Sequence, residues 1–305
     1  MGELLSIFLN VVAPVFMLVI IGYIAGPRLE LDPRSLSRVA YSVLTPAFVF
    51  NTLYRTEIEL ALALRMMAFI IVVELGCAIV AIVVARFLKR PAKMIAAYVL
   101  IAVFGNVGNF GFPIIQFALG EEALGAATIY FLTILVLSFI IGVAVANWQR
   151  GGSAGAALAV IKTPALWAVP PAVLLQWLQF ELPAIAIRPV ELLAGALIPT
   201  MLLTLGVILA QSGIPRPTFD TWVASAIRLL VGPILAVLLV TPFALTGVER
   251  GTGIMQASMP TAILASIIAT ENDLLPTFVI STVLFSTLAS VVTLTLVITF
   301  FVPRV

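Results

Sequence analysis

The sequence predicts an all-α integral membrane protein. Its fold class is ten transmembrane helices as a 5+5 inverted repeat, with two crossing broken helices in the fourth and ninth spans. Three observations carry this reading. Of the 305 residues, 62% are hydrophobic and 10% are charged, against roughly 25% charged in soluble domains. The apolar residues fall into ten runs, most near the roughly 20 residues that cross a bilayer. Two of those runs are interrupted at matching places in the two halves, by Phe104-Gly105-Asn106-Val107-Gly108-Asn109-Phe110-Gly111-Phe112-Pro113 and by Met255-Gln256-Ala257-Ser258-Met259-Pro260-Thr261. A helix broken in lipid leaves backbone groups unpaired, which is tolerated only where they line a cavity or face other protein. A matched pair of such breaks points to the binding site of a secondary transporter.

The first span, Leu4–Ala25, follows Glu3 with no Lys or Arg ahead of it. A cleaved leader has a basic start and a shorter apolar core, so this run reads as a retained helix. Next come Ser37–Leu53, Leu60–Phe87, Ala92–Leu119 and Ala123–Trp148. After the midpoint follow Ala156–Leu178, Pro189–Ala210, Phe219–Leu245, Gly251–Thr270 and Leu274–Phe301. Residues 1–148 form the first five-helix repeat and 156–305 the second. Between them, residues 149–155 (Gln-Arg-Gly-Gly-Ser-Ala-Gly) have the composition of a flexible linker.

Prolines recur at nearly constant offset across the halves. Pro14 and Pro164 differ by 150, Pro46 and Pro199 by 153, and Pro113 and Pro260 by 147. Five spans is an odd number, so the second copy enters the membrane inverted. Ten Lys and Arg residues fall in one set of alternate loops (Arg28, Arg34, Arg38, Arg86, Lys89, Arg90, Lys93, Arg150, Lys162, Arg216). Five fall in the other set: Arg55, Arg65, Arg188, Arg250 and Arg304. The positive-inside rule puts the richer set, and the linker, in the cytoplasm of a multi-pass cell-membrane protein, with both termini outside.

At the first break Gly105, Gly108 and Gly111 permit close backbone approach. Pro113 suits the first turn of a new helix, where its missing N–H has no partner to lose. Asn106 and Asn109 add amides that both donate and accept. At the second break Ser258 and Thr261 flank Pro260, where a second half-helix is expected to begin. Two positive helix ends meeting at mid-membrane suit an anion such as a carboxylate. The substrate-binding candidates are therefore Asn106, Gly108, Asn109, Gly111, Pro113, Ser258, Pro260 and Thr261. The bland alternative is a pair of proline kinks with glycines that serve helix packing.

Several classes are excluded. The net charge of +2 implies no nucleic-acid partner. With no histidine and Cys77 alone, there is no imidazole relay and no cysteine-based metal cluster. No phosphate-binding G-x-x-x-x-G-K-[ST] loop is present. An enzyme is not expected, because no nucleophile has an identifiable base. No cofactor is expected beyond H+ or Na+ as a coupling ion.

At these residues the chain resembles the auxin efflux carrier family, which includes the plant PIN proteins and prokaryotic-type short members. The likeness rests on Asn106…Gly111-x-Pro113, on Gly120-Glu121-Glu122, on Met259-Pro260-Thr261-Ala262, and on Phe48-Val49-Phe50-Asn51 after Pro46. It covers essentially the whole chain. The plant proteins carry a long hydrophilic loop where this chain has its short linker, so regulation through that loop is not expected. The resemblance implies a homodimeric, elevator-type carrier of organic anions, including auxin-like and malonate-like carboxylates. The first two spans of each repeat would form the scaffold and the other three the mobile transport domain.

Glu74 in the third span and Arg228 in the eighth lie at membrane depth, 154 residues apart. Ionisable groups there are functional candidates by default. By resemblance the third span holds a support site beside the crossover, which makes Glu74 a candidate for coupling to H+ or Na+. Arg228 either neutralises Glu74 or attracts the substrate; a static ion pair is the alternative. Asn51 either faces the crossover or is a helix-end amide. Thr133 and Ser138 are expected to hydrogen-bond between helices, and Glu121 and Glu122 to favour the start of the fifth helix. Trp148, Trp167, Trp177 and Trp222 read as interface anchors, with packing in the scaffold as the alternative for Trp167. A bile-acid-type sodium symporter shares the crossed-helix plan but would want more acidic ligands near Pro260. A passive channel or uniporter is the other alternative.

Overall fold

Helix forms in every one of the apolar runs, and the computed structural model describes residues 2–147, 162–212 and 217–302. The proposed linker 149–155, Trp148 and residues 156–161 lie outside the described residues, as do Arg150, Arg216 and Arg304. The helices are α1 (Gly2–Arg28), α2 (residues 33–55), α3 (Leu60–Phe87), α4 (Ala92–Val103), α5 (Val107–Leu119) and α6 (Ala123–Asn147). Then follow α7 (Pro164–Trp167), α8 (Val169–Trp177), α9 (Ala184–Ser212), α10 (Phe219–Leu239), α11 (Gly247–Ala257), α12 (Ile263–Glu271) and α13 (Pro276–Phe301). Among the described residues six helical stretches are long and apolar enough to cross a membrane: α1, α3, most of α6, α9, α10 and α13. At 1.5 Å per residue, the 28 residues of α3 reach about 42 Å, more than the roughly 30 Å of hydrocarbon. The protein is an all-helical, multi-pass membrane protein.

Helix α2 starts at Pro33, four residues before the expected Ser37. Asp32 caps it, accepting from the backbone N–H of Arg34 and Ser35 and from the Ser35 hydroxyl at 2.7 Å. Those bonds, the Ser35 hydroxyl first, hold the Asp32 carboxyl below its usual pKa. Asp-Pro is an N-cap followed by a first-turn proline, so this start is encoded locally.

Four π-helical turns break the α-helical pattern: Phe8–Val12, Ala40–Leu44, Val107–Gly111 and Ile227–Val231. Each ends two residues before a proline, namely Pro14, Pro46, Pro113 and Pro233. A proline in a helix clashes with the carbonyl four residues back and has no N–H to offer it. Widening the preceding turn moves that carbonyl aside, so the helix passes through the proline without stopping. At the turn before Pro46 the Thr45 hydroxyl and N–H both donate to the Ala40 carbonyl, the hydroxyl at 2.8 Å.

Helices α1, α2 and α7–α9 pack on one another, and α3–α6 pack with α10–α13. Helices α1 and α9 cross at backbone contact: a Cβ on Gly22 would lie 2.1 Å from the Leu203 carbonyl oxygen, and one on Gly206 2.0 Å from that of Val19. Small residues at such a crossing supply the close van der Waals contact that associates helices in lipid. In the other group, Arg90 Nε and the Tyr98 hydroxyl both donate to Asp220, at 2.9 and 2.7 Å. Trp167, Trp177 and Trp222 are all exposed, so Trp167 is not packed inside the first group.

Candidate substrate site at the helix crossover

The two breaks lie against each other. Helix α4 ends at Val103 and α5 begins at Val107; α11 ends at Ala257 and α12 begins at Ile263. The backbone between each pair is non-helical and pairs with its counterpart. Gly105 and Thr261 form an antiparallel bridge. The Asn106 N–H donates to the Pro260 carbonyl at 2.7 Å, and the Ala262 N–H donates to the Phe104 carbonyl at 2.6 Å. Backbone groups released by each break are thus satisfied by the other, which is how broken helices persist away from water.

Both half-helices start elsewhere than expected. Val107, not Pro113, begins α5, because the π turn carries the helix across that proline. Ile263, not Pro260, begins α12; Pro260 stands in the extended link, and Ala262 is the cap residue with φ −75° and ψ 149°. Pro113 and Pro260 therefore occupy different places in their segments. The residues that face each other are Gly105 and Thr261, which are 156 apart rather than 147.

Two environments result. On one side lie the carbonyl ends of α4 and α11, and Arg228 closes them. Its Nη1 donates to the Ala102 carbonyl at 2.8 Å and to both Glu74 oxygens at 3.1 Å, while Nε donates to the Met259 carbonyl at 2.8 Å. Arg228 and Glu74 are fully buried. A Cβ on Gly105 would lie 2.2 Å from Arg228 Nη2, so only glycine lets the guanidinium reach the link.

On the other side a cavity of about 520 Å³ opens beside the N-termini of α5 and α12. Its floor is Gly105–Asn109 and Ala262–Leu264, and its walls come from α2, α6 and α9. Asn106 is 3% exposed, and its Nδ2 has no hydrogen-bond partner among the described residues. The first N–H groups of both half-helices lack intrahelical partners; α5 leaves the cavity after Asn109, so its positive end faces this space, whereas α12 starts at the floor and runs along the wall. Arg38 and Glu271 stand at the outer end, and both are exposed. Next to the floor, phenylalanine rings from four helices pack on one another: Phe16 on Phe110 (5.2 Å), Phe48 on Phe112 (4.6 Å) and Phe112 on Phe131 (5.2 Å), the last of which also lines the cavity.

Of the candidates read from the sequence, Asn106, Gly108 and Asn109 line the cavity. Gly111 and Pro113 do not: a Cβ on Gly111 would meet Gln256 Oε1 at 2.4 Å, and Pro113 is buried within α5. Ser258 donates to its own helix at the Ile254 carbonyl, 2.6 Å away. Thr261 is tied into the link: its hydroxyl donates to the Ile101 carbonyl (3.3 Å), and its N–H donates to Ser286 Oγ (3.2 Å). Pro260 and Thr261 build the floor from behind. Asn51 accepts from Arg55 Nε at 3.1 Å and does not line the cavity, so it is a helix-end amide. Thr133 bonds within its own helix, to the Ile129 carbonyl. Ser138 does bond between helices, to the Val103 carbonyl at 2.9 Å, and it also lines the cavity. Glu121 and Glu122 lie in the turn just before α6. Tyr41, Thr45, Thr204, Arg38 and Glu271 line the cavity without having been singled out. No local signal marks them, because helix packing, rather than any motif of their own, brings them to the cavity.

The chain matches the model of the membrane transport protein family over residues 7–152 and 153–298. It is 28% identical over 296 residues to an uncharacterized transporter of Methanothermobacter thermautotrophicus, covering 93% of this chain and 95% of that one. It is 23% identical over 299 residues to an uncharacterized transporter of Methanocaldococcus jannaschii, covering 94% and 97%. To the uncharacterized transporter YfdV of Escherichia coli it is 23% identical over 194 residues, covering 59% and 62%. With a model that spans both halves and relatives aligned almost end to end, the chain belongs to the membrane transport protein family, the auxin efflux carriers, and is a transporter rather than an enzyme.

Proposed function

We propose that the protein is a secondary active carrier of small organic anions, auxin-like or malonate-like carboxylates, which bind at the mid-membrane crossover and cross by alternating access. One observation carries this reading: the N-terminus of α5, the first residues of α12 and the unpartnered, buried Asn106 amide meet at the floor of one cavity. Backbone N–H groups and positive helix ends favour an anion. Oriented amide donors replace the water a carboxylate leaves behind.

The ten helical segments serve as ten spans in two inverted sets of five. Helices α1, α2 and α7–α9 act as scaffold, and α3–α6 with α10–α13 move as the transport domain. Supporting this division, the cavity and the phenylalanine cluster both lie where the two groups meet. With Arg38 on the cytoplasmic side, the cavity is open inward and both termini lie outside the cell membrane. The protein works as a homodimer.

Coupling is assigned to H+ at Glu74. The Arg228 guanidinium already occupies both carboxylate oxygens that a Na+ would need, and it bonds the neighbouring carbonyls as well. That occupancy also disfavours a bile-acid-type sodium symporter. Protonation remains available to the carboxylate, so Glu74→Gln should abolish the pH dependence of flux, and a dependence equal to wild type removes the assignment.

The deciding experiment is uptake into proteoliposomes. Asn106→Ala should abolish saturable carboxylate uptake while the purified variant keeps its elution profile and thermal midpoint. Wild-type rates in that variant would mean that the crossover is structural only.

A further inference from the structure

Arg38 and Glu271 are the cavity-lining residues that carry a formal charge, and Tyr41 is the other titratable group that faces the space. Arg38 is contributed by α2 and Glu271 is the last residue of α12, so they reach the mouth from different helices. Among the described residues neither enters an ion pair. No formal charge reaches the floor, because Arg228 lies behind Gly105 and is neutralised by Glu74. The lined space thus holds one positive and one negative side chain, both at its outer end.

Between floor and mouth the wall combines apolar side chains, Ile134, Leu135, Met201 and Ile267 among them, with the hydroxyls of Thr45, Ser138 and Thr204, each of which already donates to a backbone carbonyl. Helix α12 runs its whole length from floor to mouth, Ile263 to Glu271, about 12 Å at 1.5 Å per residue. A carboxylate held by Asn106 and the helix ends lays an apolar body along this wall without penalty. Part-way along the wall a second carboxylate meets apolar side chains and hydroxyls already committed to backbone carbonyls, where burial without a partner is costly; at the mouth the Glu271 carboxylate offsets the attraction of Arg38.

We propose that Arg38 and Glu271 form a charge filter at the mouth. Arg38 draws one carboxylate in, and Glu271 disfavours a second, so the carrier selects apolar monocarboxylates over dicarboxylates. This rests on the organic-anion reading above and narrows it, to auxin-like monocarboxylates rather than malonate-like dicarboxylates.

Hexanoate and adipate test the filter, since they share a six-carbon chain and differ by one carboxylate. In proteoliposomes, kcat/KM for hexanoate should exceed that for adipate by about tenfold or more, and Glu271→Gln should shrink that ratio severalfold. Arg38→Gln should lower kcat/KM for hexanoate by about tenfold at low ionic strength, with the loss fading as salt screens the mouth, and Arg38→Lys should restore it. Both residues are exposed, and thermal midpoints check that the variants fold. Saturable flux of both acids without preference, or a ratio unmoved in Glu271→Gln, overturns the filter and leaves the carrier standing. Absence of saturable flux of either acid in the wild type overturns both readings.

Discussion

At Arg228 one guanidinium meets the Ala102 carbonyl, the Met259 carbonyl and the Glu74 carboxylate. It therefore terminates the negative ends of two half-helices with a single buried cation, and Glu74 cancels the charge. Leaving one member of a buried pair without the other typically costs about 3–5 kcal/mol. Glu74→Gln should accordingly lower stability by about that much, measured by denaturation in detergent. Adding Arg228→Met should not restore it, because the two carbonyls would then lose their donor; recovery by the double variant would show that the pair matters only for its charge. Depth in an apolar run made both residues legible from sequence. Their partnership with the link backbone was not, because Ala102 and Met259 are ordinary residues until the breaks release their carbonyls. Asn106 was legible for the opposite reason: a polar amide amid glycines in an apolar run has few purely structural uses.

At the scale of elements, proline plays two parts that sequence position does not separate. Pro113 sits inside a helix behind a π turn, whereas Pro260 sits in an extended link. The difference lies in what precedes each. Gly105 and Asn106 leave the helix before Pro113 is reached, so the chain is already helical again when it arrives there. Pro113→Ala restores a backbone N–H and removes the reason for the π turn at Val107–Gly111. The variant should keep its thermal midpoint but reset the first turn of α5, which forms the cavity floor. Uptake should fall by about tenfold, a loss consistent with small misplacement at a binding site. Wild-type uptake in Pro113→Ala would mean that the π turn has no part in shaping the site.

For the whole molecule, the orientation and the open state make one prediction. Ser42 lines the cavity on α2 and is exposed, while the native Cys77 is buried. In cells, Ser42→Cys should react with a membrane-impermeant maleimide only when the reagent reaches the cytoplasmic face, and hexanoate should slow that reaction. Labelling from outside alone would reverse the assigned topology. Two of the spans were read from hydropathy with the bounds the structure gives them: Leu60–Phe87, and Ala92–Leu119 apart from the interruption inside it. Runs of this kind are legible because lipid imposes a length and a composition on each span independently of the rest.

By itself the sequence determined that the chain is a membrane protein, where most of its helices run and where two of them break, because apolar run length and helix-breaking residues act locally. Only the tertiary structure decided that the breaks pair through Gly105 and Thr261, that Arg228 closes their carbonyl ends, and that Arg38 and Glu271 meet at one cavity mouth. Those relations join residues up to 233 positions apart, as Arg38 and Glu271 are, and depend on helix packing. No period or motif along the chain records which faces of distant helices will touch.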